Sequence, residues 1–128
     1  LIDKRIISFT REVVMSELTE KKCEACESWV APMASELAND FLGKLESGWQ
    51  LSTDGKTITK EYKFKNYYRT MAFVNAIAWM ANGEGHHPDL EVSYNRCVIN
   101  YTTHAIKGLS ENDFICAAKA DEILKYGP

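Results

Sequence analysis

The sequence predicts an α+β fold of order α-β-β-α-β-β-α, a four-stranded antiparallel sheet with helices packed on one face. Three observations carry this reading. An amphipathic stripe follows Pro32, two pairs of alternating apolar runs are joined by short reversals, and a long segment free of Gly and Pro lies between the pairs.

From Pro32, which suits a first helical turn, apolar residues recur at Ala34, Leu37, Ala38, Phe41, Leu42 and Leu45. That spacing predicts a helix with one buried face. Trp49-Gln50-Leu51 and the evenly spaced Ile58, Tyr62 and Phe64 flank Asp54-Gly55 and read as a β-hairpin. Residues 66–82 hold Tyr67, Tyr68, Met71, Phe73, Val74, Ile77, Trp79 and Met80, apolar almost all round, as expected of a helix lying across a sheet or in an interface. Gly83 is expected to stop it. Leu90, Val92 and Tyr94 then alternate with polar residues, Asn95-Arg96 reverses the chain, and residues 97–103 form the fourth strand. Gly108 and Ser110 introduce a last helix running to about Lys125, with Phe114, Ala117, Ala118 and Leu124 for its buried side. Residues 1–30 show weak periodicity and like-charged clusters, and read as a partly irregular extension ahead of a single domain over 31–128.

Composition narrows the function classes. At 128 residues, 45% hydrophobic and 26% charged, the chain is an ordinary globular domain able to bury a core without staples. A net charge of −3 supplies no basic footprint for phosphate-driven nucleic-acid binding. The longest apolar stretch, Met71 to Ala81, is interrupted by Asn75 and too short to span a bilayer, and the beginning of the chain lacks a signal-peptide layout, so a cytoplasmic protein is expected. Cys23, Cys26, Cys97 and Cys116 are too few and scattered for a disulfide framework. Cys23-Glu24-Ala25-Cys26 does not follow a strand and has no second C-x-x-C to complete a zinc site, so reduced thiols are expected.

All three histidines fall within nineteen positions, His86 and His87 adjacent and His104 beyond them, with Asp113 nine residues further on. Imidazole exchanges a proton near neutrality, and its clustering here reads as a site. The pair lies in a Gly- and Pro-punctuated connection after the central helix, and His104 ends the last strand, so the two can meet at one edge of the sheet. Three imidazoles near one another are expected to act as a coupled set, so that one can be cationic while another is neutral. That division of labour suits an elimination, in which an acid protonates the leaving oxygen and a base takes a proton from the adjacent atom. Asp113 has a structural reading as well, since Ser110-Glu111-Asn112-Asp113 is a capping box.

The run Glu84-Gly85-His86-His87-Pro88-Asp89-Leu90, Tyr94 eight residues after His86, and the block from Thr103 to Phe114 resemble the pterin-4a-carbinolamine dehydratases, particularly the bacterial type. The likeness runs from about Trp49 to the C-terminus, and Cys-Glu-Ala-Cys is also similar to bacterial relatives. The resemblance implies dehydration of 4a-hydroxytetrahydrobiopterin to the quinonoid dihydropterin, recycling the cofactor of aromatic amino-acid hydroxylases, with no metal and no cofactor of the enzyme's own. By position it implies His86, His87 and His104 as catalytic histidines and Asp113 as the carboxylate that orients or charges one of them. Trp49 and Pro88 are the candidates for walling the pterin. Many relatives carry a glutamate four residues before the first histidine, where this chain has Asn82, and Glu84 is the nearest carboxylate. Relatives form dimers or tetramers, and the apolar 66–82 helix likewise predicts self-association. Animal relatives also serve as a dimerisation cofactor for a homeodomain transcription factor, which sets a binding module beside the enzyme. A histidine-based metal hydrolase is the other rival, though consecutive residues of an extended chain project to opposite sides and suit one ion poorly.

Overall fold

The structure is a computed structural model that describes residues 17–126; the part of the expected extension before residue 17 lies outside them. A helix described over residues 17–20 (α1) precedes α2 (Ser35–Leu42), β1 (Gln50–Leu51), β2 (Ile58–Lys63), α3 (Tyr67–Glu84), β3 (Asp89–Ser93), β4 (Arg96–Tyr101) and α4 (Glu111–Tyr126). From α2 onward this is the expected order. The sheet runs β1-β2-β4-β3, antiparallel throughout.

Register follows from the two-residue period of a strand. Ile58 pairs with Tyr101, Lys60 with Ile99 and Tyr62 with Cys97, so these six side chains share one face. That face meets the helices in a core that includes Ala38, Phe73, Ile77, Phe114 and Ala117. Lys60 is the charged member of the inward set. It ion-pairs at 2.7 Å with Asp121 of α4, which also accepts from Trp49 Nε1 (2.9 Å) and Tyr62 OH (2.6 Å). Two donors and an ammonium satisfy this buried carboxylate, and they tie the β1–β2 hairpin to the last helix.

Several boundaries move for identifiable reasons. The helix expected from Pro32 begins at Ser35, because the Met33 N–H bonds to Leu109 O (2.8 Å) and Pro32 packs on Gly108, where a Cβ would lie 2.6 Å from Pro32 Cβ. Tertiary docking takes the proline out of the helix. Gly83 does not stop α3. The helix runs on to Glu84 and ends at Gly85, whose φ of 65° is the left-handed turn that glycine adopts without Cβ strain. The fourth strand ends at Tyr101 rather than 103, and the chain closes through a Thr103–Gly108 bridge around a 3₁₀ turn, His104–Ile106. His104 therefore opens that turn instead of ending a strand. Within the described part of the expected extension, Leu18 is buried in the core.

Candidate active site

Asp113 anchors the site. Its side chain is fully buried in the first turn of α4, yet both of its oxygens have partners. Oδ2 accepts from the Ser110 backbone N–H (3.0 Å) and from Thr103 Oγ1 (2.8 Å), and Oδ1 lies 2.6 Å from His86 Nε2. The capping box is present in one arm only: Asp113 reaches back to Ser110, but the Ser110 hydroxyl is taken by Thr103 Oγ1 at 2.7 Å. Thr103 has one hydroxyl proton and gives it to Asp113, so Ser110 is the donor in that pair. An ionised carboxylate only accepts, which places the ring proton of His86 on Nε2 and leaves Nδ1 as the free nitrogen. The ring is further held parallel to Tyr101, centroids 6.0 Å apart at 8°.

The left-handed Gly85 swings the chain out of α3 so that His86 and His87 both line one cleft of about 270 Å³, with His104 across from them. His86 is largely covered, whereas His87 and His104 are exposed. His87 Nε2 sits 3.3 Å from Asn82 Oδ1, so Asn82 supports a histidine through its amide oxygen. Among the described residues, no group of three His, Cys, Asp or Glu side chains is placed to hold a metal ion.

The other expected site residues lie elsewhere. Glu84 faces away from the cleft, paired with Lys119 and accepting from the Cys23 N–H at 2.9 Å. Burial pushes its carboxyl up, but Lys119 and the Cys23 N–H outweigh that and hold it below its ordinary value. Trp49 is in the core, its ring 6.2 Å from Tyr101 on the inward face of the sheet, and does not line the cleft. Pro88 is half-buried beside the histidine pair and is likewise not among the lining residues.

One wall comes from the Cys-Glu-Ala-Cys run, which the sequence did not place at the histidines. Residues 23–26 form a strap across the cleft mouth, and Glu24, Ala25 and Cys26 line it. Asn112 holds the strap as a neighbouring strand would, donating Nδ2 to Glu24 O (2.6 Å) and accepting the Glu24 N–H on Oδ1 (3.1 Å). Asn112 directly precedes Asp113, so one helical turn holds both the wall and the clamped histidine.

Together, fold and cleft define an α+β protein with a histidine-lined site beside a buried carboxylate. The sequence profile of the family "Pterin 4 alpha carbinolamine dehydratase" matches residues 31–123. A provisionally named pterin-4-alpha-carbinolamine dehydratase of Nitrosomonas eutropha is 56% identical over 108 residues, covering 84% of this chain and 94% of that protein. One of the same provisional name from Legionella pneumophila is 52% identical over 109 residues, covering 85% and 96%. A crystal structure from Brucella melitensis, described as a transcriptional coactivator/pterin dehydratase, superposes with a TM-score of 0.68 at 30% identity, covering 72% of this chain and 97% of that one. The chain belongs to the pterin-4a-carbinolamine dehydratase family.

Proposed function

We propose that the protein is a hydro-lyase that dehydrates 4a-hydroxytetrahydrobiopterin to the quinonoid dihydropterin, recycling in the cytoplasm the pterin cofactor of aromatic amino-acid hydroxylases. The observation that carries this reading is three histidines lining one cleft, with only the first of them clamped by a buried carboxylate. Elimination needs an acid at the leaving hydroxyl, which departs as water, and a base at the adjacent ring atom. His87 and His104 are exposed in the cleft and form the proton-transfer pair. His86, fixed through Nε2, presents Nδ1 as an acceptor to hold the pterin, or shares the acid role in the doubly protonated form, in which Nδ1 also carries a proton.

The test is the dehydration of synthetic 4a-carbinolamine by purified, untagged protein without added metal. Acceleration that survives chelator supports the reading. Full activity in all three single histidine-to-alanine variants, or no acceleration at all, refutes it.

A second reading rests on a surface. Tyr68 and Trp79 of α3 are each 83% exposed, more aromatic area than a lone small domain commonly leaves in water. We propose that this helix mediates self-association into a dimer or tetramer, or docks a protein partner. A strictly monomeric mass by light scattering at micromolar concentration would remove the first option.

A further inference from the structure

The C-x-x-C pair has no part in the proposed reaction, and its first thiol has a partner from a distant part of the chain. Cys23 Sγ lies 3.4 Å from Cys116 Sγ, 93 positions along the sequence. Cys26 is engaged differently, with Asn112 Nδ2 3.4 Å from its sulfur, and Cys97 is buried in β4. Both sides of the Cys23–Cys116 approach are fixed. The strap is held at Cys23 N–H by Glu84 and at Glu24 by Asn112, while Cys116 is fully buried on α4, one turn beyond Asn112 on the same helix face. A disulfide has an S–S length of about 2.0 Å, so bonding asks for a closure of about 1.4 Å between sulfurs already in contact.

We propose that Cys23 and Cys116 are a dithiol site that oxidises to an internal disulfide, covalently pinning the strap that walls the histidine cleft. Cys23 is half-buried and meets the oxidant; Cys116 is shielded and resolves. Contact with Cys23 and then burial push the Cys116 thiol up, consistent with that assignment. With hydrogen peroxide as oxidant, the Cys23 thiol becomes a sulfenic acid as the O–O bond breaks and one water leaves. The Cys116 sulfur then attacks the Cys23 sulfur, and the second oxygen departs as water while the S–S bond forms. Two thiol hydrogens and two electrons pass to the peroxide. A small thiol such as dithiothreitol returns them by exchange.

The test uses the full chain, reduced, freed of reductant, exposed to stoichiometric peroxide, alkylated, and mapped by mass spectrometry without reduction. Titratable thiols should fall from four to two, and one cross-linked peptide pair should join Cys23 to Cys116 and disappear with dithiothreitol. Cys26→Ser should keep the cross-link and Cys23→Ser should lose it. Because Cys116 is in the core, Cys116→Ala is a secondary variant, and the half-buried Cys23 carries the decision. A Cys23–Cys26 linkage in the wild type, or over-oxidised Cys23 with no cross-link, overturns the proposal. No readout depends on pterin chemistry, so this site and the proposed reaction stand or fall separately.

Discussion

Replacing Asp113 by asparagine keeps the shape of the buried side chain and removes its charge. The carboxylate accepts from His86 at 2.6 Å, Thr103 at 2.8 Å and the Ser110 N–H at 3.0 Å. An amide has a single oxygen. Turned toward Thr103 and Ser110, that oxygen keeps two of the three bonds and sets an NH₂ against His86 Nε2. The ring must then accept at Nε2 and carry its proton on Nδ1, so the cleft meets a donor where it met an acceptor. Losing one charge-assisted bond costs about 1.5–3 kcal/mol, or about 6–12 °C in melting midpoint for a domain of this size. The wrong tautomer should lower kcat by about 10²-fold or more, within the 10²–10⁴ range of general acid–base catalysis. Stopped-flow dehydration of 4a-carbinolamine and a circular-dichroism melt measure the two effects independently. A variant with wild-type turnover that is destabilised by only about 1 kcal/mol would make Asp113 a helix cap and nothing more, refuting the orienting role.

His87→Ala and His104→Ala should each fold normally, since both side chains are exposed, and each should lose about 10²–10⁴-fold in kcat. The double variant should lose far less than the product of the two, because residues acting as one unit are not additive; additive losses would deny a shared proton path. Trp49→Phe removes the hydrogen bond to Asp121 and should cost about 1 kcal/mol in denaturant melts. Its KM for the carbinolamine should stay unchanged, and a several-fold rise would restore Trp49 as a pterin wall. Glu84 has a folded pKa held below its ordinary 4.5 by Lys119 and the Cys23 N–H, so it contributes stability above that pH and loses it as pH falls through the lower folded value. Wild type should accordingly be more stable than Glu84→Gln at pH 7 and draw toward it as pH falls below 4.5, which urea melts from pH 7 into acid would show. A gap of constant size throughout that series would mean the charged carboxylate is not its source.

Much of the site was legible because it is local in sequence. The histidine pair, His104 and Asp113 stand close enough along the chain that strand and helix geometry bring them together, and the structure joins His86 to Asp113. The hairpin was equally plain from Asp54-Gly55, where Gly55 has φ of 72° and Asp54 accepts the Lys56 N–H at 3.0 Å. What escaped was set by contacts across long separations. Pro32 looks like a helix starter until Gly108 is beside it. Asn112 looks like a first-turn residue of a helix, and only the fold shows that it grips Glu24, 88 positions away. Choosing between Gly83 and Gly85 as the helix stop depended on where His86 must go, which no local pattern records.

The double use of Asp113 makes the first turn of α4 and the orientation of His86 a single equilibrium. Local unwinding at residues 110–113 would release Thr103, the Ser110 amide and the imidazole at once, so only molecules with that turn wound have an assembled cleft. Linkage is reciprocal: an occupant that tightens the His86 ring against the carboxylate must wind the turn by the same free energy. Binding would therefore be reported as slower hydrogen exchange at the amides of that turn.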